Sequence, residues 1–84
     1  MKPVKIFTTS YCPYCVRAKR LLERKGVAYE EIDVEGNDEA RIRLAEQTGR
    51  RTVPQIFIGE HHVGGSDDLH DLEAQGKLDA LLSG

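Results

Sequence analysis

The sequence has few cysteines, no long apolar run and no large excess of charge of either sign. No stretch approaches the roughly 20 apolar residues that a bilayer-spanning helix needs, so no membrane role is expected. Lys and Arg number 12 against 14 Asp and Glu, a formal net charge of −2. That near balance gives no sign of nucleic acid or a membrane surface as partner. The opening residues, MKPVKIF, are too short and too mixed for a secretory leader, and a cytoplasmic location is the default expectation. There is no internal repeat, low-complexity tract or linker-like segment. The 84 residues fit a single domain, 1–84, and an apolar fraction of 39% can supply a small core.

What is present is a pair of cysteines in the stretch Ser10-Tyr11-Cys12-Pro13-Tyr14-Cys15. Two cysteines are too few for a disulfide scaffold. A bridge closing so short a loop also stabilises a fold little, because the entropy removed from the unfolded chain grows with loop length. A structural role therefore explains the pair poorly. A zinc site fits worse: zinc takes about four ligands, and His61, His62 and His70 lack a matching spacing. These histidines read as surface or hairpin residues, and no metal is expected.

The chain reads as alternating short elements. Val4–Thr8 is a strand, with Pro3 at its start where a missing N–H is tolerated. Pro13–Lys25 is helical, with Ala18, Leu21 and Leu22 on one face and Gly26 as the stop. Val27–Val34 reads as a second strand, although its alternation slips between Tyr29 and Ile32. Asn37 caps a second helix running to about Gly49, with Asp38 and Glu39 in its first turn. Gln55–Ile58 and His61–Val63 form a hairpin across Gly59-Glu60. Gly64-Gly65 leads into a helix opened by Ser66-Asp67-Asp68, with Ser66 read as its cap, running to about Gln75. After Gly76 comes an amphipathic tail with Leu78, Leu81 and Leu82. The order β-α-β-α-β-β-α-α implies a parallel pair with a right-handed crossover plus an antiparallel hairpin. The fold class is α/β: a mixed four-stranded sheet flanked by helices. With C-x-x-C at the first strand-to-helix junction, it is thioredoxin-like.

Pro13 suits the first helical position, which makes Cys12 the N-cap and Cys15 the third helical residue. Side chains at those two positions reach each other, as in a capping box. Cys12 then sits beside free backbone N–H groups and the positive end of the helix dipole. Thiols in such motifs fall from roughly 8.5 to between about 3.5 and 7.5. Cys12 is the expected nucleophile; Cys15, pointing back along the helix, is the expected resolver. Helix 1 is strongly basic (Arg17, Lys19, Arg20, Arg24, Lys25 against Glu23). Its last-turn charges suit the helix dipole, and the others would favour acidic partners.

Three motifs carry a family resemblance: Cys12-Pro13-Tyr14-Cys15, Thr52-Val53-Pro54 ahead of a strand, and Gly64-Gly65-Ser66-Asp67-Asp68 at a helix start. In this order and spacing the chain resembles the dithiol glutaredoxins over nearly its whole length, most of all the small bacterial ones. The resemblance implies a glutathione-dependent thiol-disulfide oxidoreductase with no permanently bound cofactor and glutathione as co-substrate. It implies a cis Pro54, with the Val53 backbone pairing the cysteinyl part of glutathione. Ser66 and Asp67 would take the γ-glutamyl carboxylate and ammonium, Gly65 would allow close approach, and Tyr14 would line the site. Many members carry a lysine three residues before the first cysteine. Here Thr9 stands there, and Arg41 and Arg51 are the candidate replacements for its charge. The implied partners are glutathionylated proteins and disulfide-containing reductases, for a monomer engaged in cell redox homeostasis. The rival readings are a redoxin fed by thioredoxin reductase and a dimeric glutathione-ligated [2Fe–2S] scaffold. The first is opposed by the Thr-Val-Pro and Gly-Gly segments. The second is opposed by Pro13, where cluster-binding relatives usually carry serine or glycine.

Overall fold

The structure, a computed structural model, describes residues 1–83. Its elements are β1 (Val4–Thr8), α1 (Pro13–Arg24), β2 (Glu30–Asp33), α2 (Asp38–Thr48), β3 (Gln55–Ile58), β4 (His61–Gly64), α3 (Ser66–Ala74) and α4 (Leu78–Ser83). The order is that expected, in one mixed sheet with strands β2-β1-β3-β4. β1 runs parallel to β2 and antiparallel to β3, and β3 pairs antiparallel with β4.

Register sets the two faces. Val4 opposes Ile58 and Ile6 opposes Ile56, so these four side chains share one face. There they meet Ala18, Leu21 and Leu22 of α1, Leu69 of α3, and Leu78 and Leu82 of α4 in the core. The alternate residues Lys5, Phe7 and Phe57 lie on the other face, where Gln47 of α2 borders the same hollow. All four residues of β3 are buried, as expected for a strand covered on both sides.

Val27 departs from the expected second strand. Gly26, at φ 70°, ends α1 in a Schellman motif. Its N–H donates to Glu23 O (3.0 Å), and the Val27 N–H donates to Leu22 O (2.9 Å). Val27 thus spends its donor closing the helix, and strand pairing begins only at Glu30. Ladder-like bonding does continue to Val34, whose N–H donates to Thr8 O at 2.9 Å. The same terminating motif recurs after α3, at Gly76 and Lys77. α1 stops one residue short of the expected Lys25, which serves as its C-cap, and β4 runs one residue further, to Gly64.

Ser66 is the second correction. It is the first helical residue, not the cap. The chain enters α3 through extended Gly65, and the Asp68 carboxylate accepts the Gly65 N–H at 2.8 Å. The Ser66 hydroxyl instead lies 3.4 Å from His70 Nδ1.

Candidate active site

Cys12 caps α1 in extended conformation, φ −140° and ψ 96°. Pro13, at the first helical position, has no N–H to lose there. The Cys15 N–H donates to Cys12 Sγ at 3.1 Å. Backbone donation to the sulfur favours its charged form once reduced, since hydrogen bonds to the ionised state stabilise it. The two sulfurs are joined in a disulfide, with Cα atoms 5.1 Å apart, inside the range such bridges span without backbone movement. Cys12 is 8% exposed and Cys15 1%. Attack from solvent therefore reaches Cys12 first. Around it Tyr11, Tyr14 and Val16 stand exposed.

The second segment comes from the turn before β3. The Val53–Pro54 peptide is cis, and Val53 O lies 3.6 Å from Cys12 Sγ. This turn is braced from beneath. Fully buried Gln55 donates to Thr52 O at 2.8 Å, and its amide oxygen lies 2.7 Å from His62 Nε2. With the Gln55 amide nitrogen donating to Thr52, the amide oxygen must accept, so His62 carries its proton on Nε2. Burial, helped by the Arg50 charge, holds His62 below its ordinary value. His62 is thus a half-buried brace packed at a tilt against Phe57, whereas His61 is an exposed hairpin residue.

The third segment is the start of α3. Together the three segments wall a hollow of about 220 Å³ lined by Tyr14, Thr52, Val53, Pro54, Gly65, Ser66 and Asp67, with Arg50 and Asp68. Seven residues expected from the sequence are thereby brought together. Arg41 and Arg51 are not among them. They line a larger hollow on the α2 side, where Arg41 Nη2 donates to Arg51 O at 3.3 Å.

Sequence reasoning missed Arg50 and the full role of Asp68. Arg50 Nη1 pairs with Asp68 Oδ2 at 2.8 Å. Arg50, and then the Gly65 N–H, hold the Asp68 carboxyl below its ordinary value. The acid in the first turn of α3 was a visible signal; its partner, 18 residues earlier, was not. Among the described residues no group of three or more His, Cys, Asp or Glu is arranged to hold a metal ion.

Thr9 is half-buried and brings no charge to the cysteines. On α1, Lys19 pairs with Glu31 (3.0 Å), and its C-cap Lys25 pairs with Glu73 and Asp79 (both 2.8 Å). Two of the five basic side chains thus tie α1 to its neighbours.

Comparison with known proteins places this arrangement. The family model described as Glutaredoxin matches residues 4–63. A glutaredoxin of Pseudomonas aeruginosa is 64% identical over 83 residues, covering 99% of each chain. Glutaredoxin 3 of Escherichia coli is 51% identical over 82 residues, covering 98% of this chain and 99% of the relative. Among solved structures, a buckwheat glutaredoxin–glutathione complex superposes with a TM-score of 0.92 at 36% identity, over 98% of this chain and 77% of that one. The solution structure of glutaredoxin from Brucella melitensis gives 0.88 at 56% identity, over 98% and 89%. The chain belongs to the glutaredoxin family and is a dithiol, glutathione-dependent thiol-disulfide oxidoreductase built on Cys12-Pro13-Tyr14-Cys15.

Proposed function

We propose that glutathione docks in the hollow between Tyr14, the Thr52–Pro54 turn and the start of α3, and that Cys12 alone exchanges with its sulfur. The observation that carries this reading is the position of Cys12 Sγ, 3.6 Å from the carbonyl of Val53, which itself walls the hollow. A peptide lying along the Val53 backbone would bring its cysteinyl sulfur up to Cys12, and holding reactants in that way supplies much of the rate. The buckwheat relative, whose structure is of a glutaredoxin–glutathione complex, supports glutathione as the ligand. In this reading the backbone N–H groups that open α3 take the γ-glutamyl carboxylate, and Asp67, exposed at the rim, accepts from the adjacent ammonium. In the same reading Arg41 and Arg51, which line the α2-side hollow, take the glycyl carboxylate.

The exchange balances as follows. The Cys12 thiolate attacks the glutathione sulfur of a glutathionylated protein, that S–S bond breaks, and the protein leaves as a thiolate that takes up a proton. Cys12 then carries glutathione in a mixed disulfide. A second glutathione thiolate attacks the bound glutathione sulfur, releasing oxidised glutathione and the Cys12 thiolate. With a protein disulfide, Cys12 instead forms a mixed disulfide with the substrate. Cys15 loses its proton and attacks Cys12 Sγ, the substrate departs as a dithiol, and the Cys12–Cys15 bridge remains. One glutathione thiolate then attacks Cys12 Sγ and frees Cys15, which takes up a proton, and a second removes the first as oxidised glutathione.

We read the protein as a monomer working in the cytoplasm on glutathionylated proteins and disulfide-containing reductases. Its described helices include none long and apolar enough to cross a membrane. The test of roles uses two variants and glutathione reductase to follow turnover. Cys15→Ser retains reduction of a small glutathionyl mixed disulfide and loses reduction of protein disulfides. Cys12→Ser loses both. Turnover of the mixed disulfide by Cys12→Ser would reverse the assignment.

A further inference from the structure

Arg50 lies between two of the three segments that wall the hollow. Its root is fixed: the Arg50 N–H donates to Thr48 Oγ1 (3.1 Å), and the Thr48 hydroxyl donates to Leu44 O of α2 (2.8 Å). Its guanidinium reaches across to Asp68 Oδ2, the same oxygen that accepts the Gly65 N–H at 2.8 Å. The backbone beneath has been cleared for this bridge. Gly64 turns at φ +116°, and a Cβ there would lie 2.7 Å from Arg50 Nη1 and collide with the Asp68 carboxylate. The ion pair therefore lies directly over the Gly64-Gly65 backbone. Arg50 stands two residues before Thr52, and Asp68 one residue after Asp67. The bridge thus joins the wall carrying Thr52, Val53 and Pro54 to the wall carrying Ser66 and Asp67.

We infer that Arg50 is a positioning residue: it clips the Thr52–Pro54 turn to the start of α3 and so sets the width of the glutathione cradle without touching the sulfur chemistry. This rests on the reading that glutathione occupies the hollow. The arrangement separates two roles for a cation here. A direct ligand of a glutathione carboxylate would act whatever stands at position 68. A clip acts only through Asp68.

The experiment is a double-mutant cycle on the full chain, with KM and kcat measured for a small glutathionyl mixed disulfide at fixed glutathione. Arg50→Ala is expected to raise the KM for the mixed disulfide about three- to five-fold, the span of a half-exposed ion pair, with kcat changed less than about two-fold. Arg50→Lys is expected to recover part of that loss. Asp68→Asn keeps an oxygen for the Gly65 N–H and removes the charge. It should raise KM like Arg50→Ala, and adding it to Arg50→Ala should cost less than about two-fold more. Full additivity would make Arg50 a ligand and overturn the clip. So would an unchanged KM in Arg50→Ala, even with a lowered unfolding midpoint, or a fall confined to kcat. If the unsubstituted protein itself showed no saturation with the mixed disulfide, the underlying reading would fail, and that outcome is visible before any variant is compared.

Discussion

At the scale of single residues, the backbone at Gly64 is the most constrained point near the site. Its φ of +116° is one that side chains rarely adopt, and the space a Cβ would take is occupied by the Arg50–Asp68 pair. Gly64→Ala is expected to cost about 1–3 kcal/mol in urea unfolding, from backbone strain plus displacement of the pair. Gly26→Ala is the control: φ is also positive, at 70°, but nothing lies within 4 Å, so the expected cost is about 1 kcal/mol. Equal losses at the two positions would mean that the ion pair yields freely. The same scale shows what a sequence reveals about a site. The Cys12–Cys15 geometry was legible because it is local: a proline at the first helical position fixes which cysteine caps and which follows three residues later. Thr52-Val53-Pro54 and Gly65-Ser66-Asp67 were legible as motifs. Arg50 was not, since it adjoins Arg51 and nothing local says which of two neighbouring arginines turns inward. That choice is made by the Gly49 cap and by the Thr48 hydroxyl that holds the Arg50 N–H, features that acquire direction only in three dimensions.

Among the elements, α3 carries the largest burden. Its first turn forms one wall of the hollow, and its body packs on α1, β3, β4 and α4. Leu69, fully buried in the first turn and a half, is the anchor. Leu69→Ala is expected to lower unfolding stability by about 2–5 kcal/mol with little change in the urea m-value, through lost burial and a residual cavity. Ile42→Ala, on the exposed side of α2 at 58% accessibility, should stay within about 0.5 kcal/mol. A loss below about 1 kcal/mol at Leu69 would mean that α3 is held mainly by its polar contacts. The helices and the central strands were readable because their apolar spacing, caps and stops agree. β2 was readable only in part. Its four residues, Glu30–Asp33, include no fully buried side chain, so there is no alternation to mark its start. Val27 looks like a strand residue because it is β-branched and buried, yet its N–H belongs to the end of α1. Ser66 misled for a related reason: serine is a favoured cap, but the capping contact here comes from the Asp68 carboxylate to a glycine N–H, a contact with no signature of its own at position 65.

For the molecule as a whole, the shifted groups define a pH window. His62 is held below its ordinary 6.5, first by burial and then by the Arg50 charge, with Asp68 opposing. The unfolded chain therefore takes up this proton at higher pH than the folded one, and stability present above about pH 6.5 declines as pH falls through that region. Asp68 and Glu31 are also held low, Asp68 chiefly by Arg50 and Glu31 chiefly by the Thr8 hydroxyl and then Lys19. Their contribution is lost in a second decline, below about pH 4. On the alkaline side Tyr29 is pushed up to about 12, by burial first and by its hydrogen bond to Glu23 second. The unfolded phenol ionises near 10, so stability falls as pH rises from there toward 12. The oxidised protein, whose bridged cysteines do not titrate, should show a plateau between about pH 6.5 and 10 in urea midpoints. His62→Gln separates the two acid steps. Glutamine can still donate to Gln55 and so keep the brace under Thr52, but it cannot acquire charge beside Arg50. Its urea midpoint should stay flat from about pH 7 to 5 and then fall with the carboxylates. A slope in that interval equal to that of the unsubstituted protein would show that the first step belongs to some other group, and that protonation at the brace costs the fold nothing.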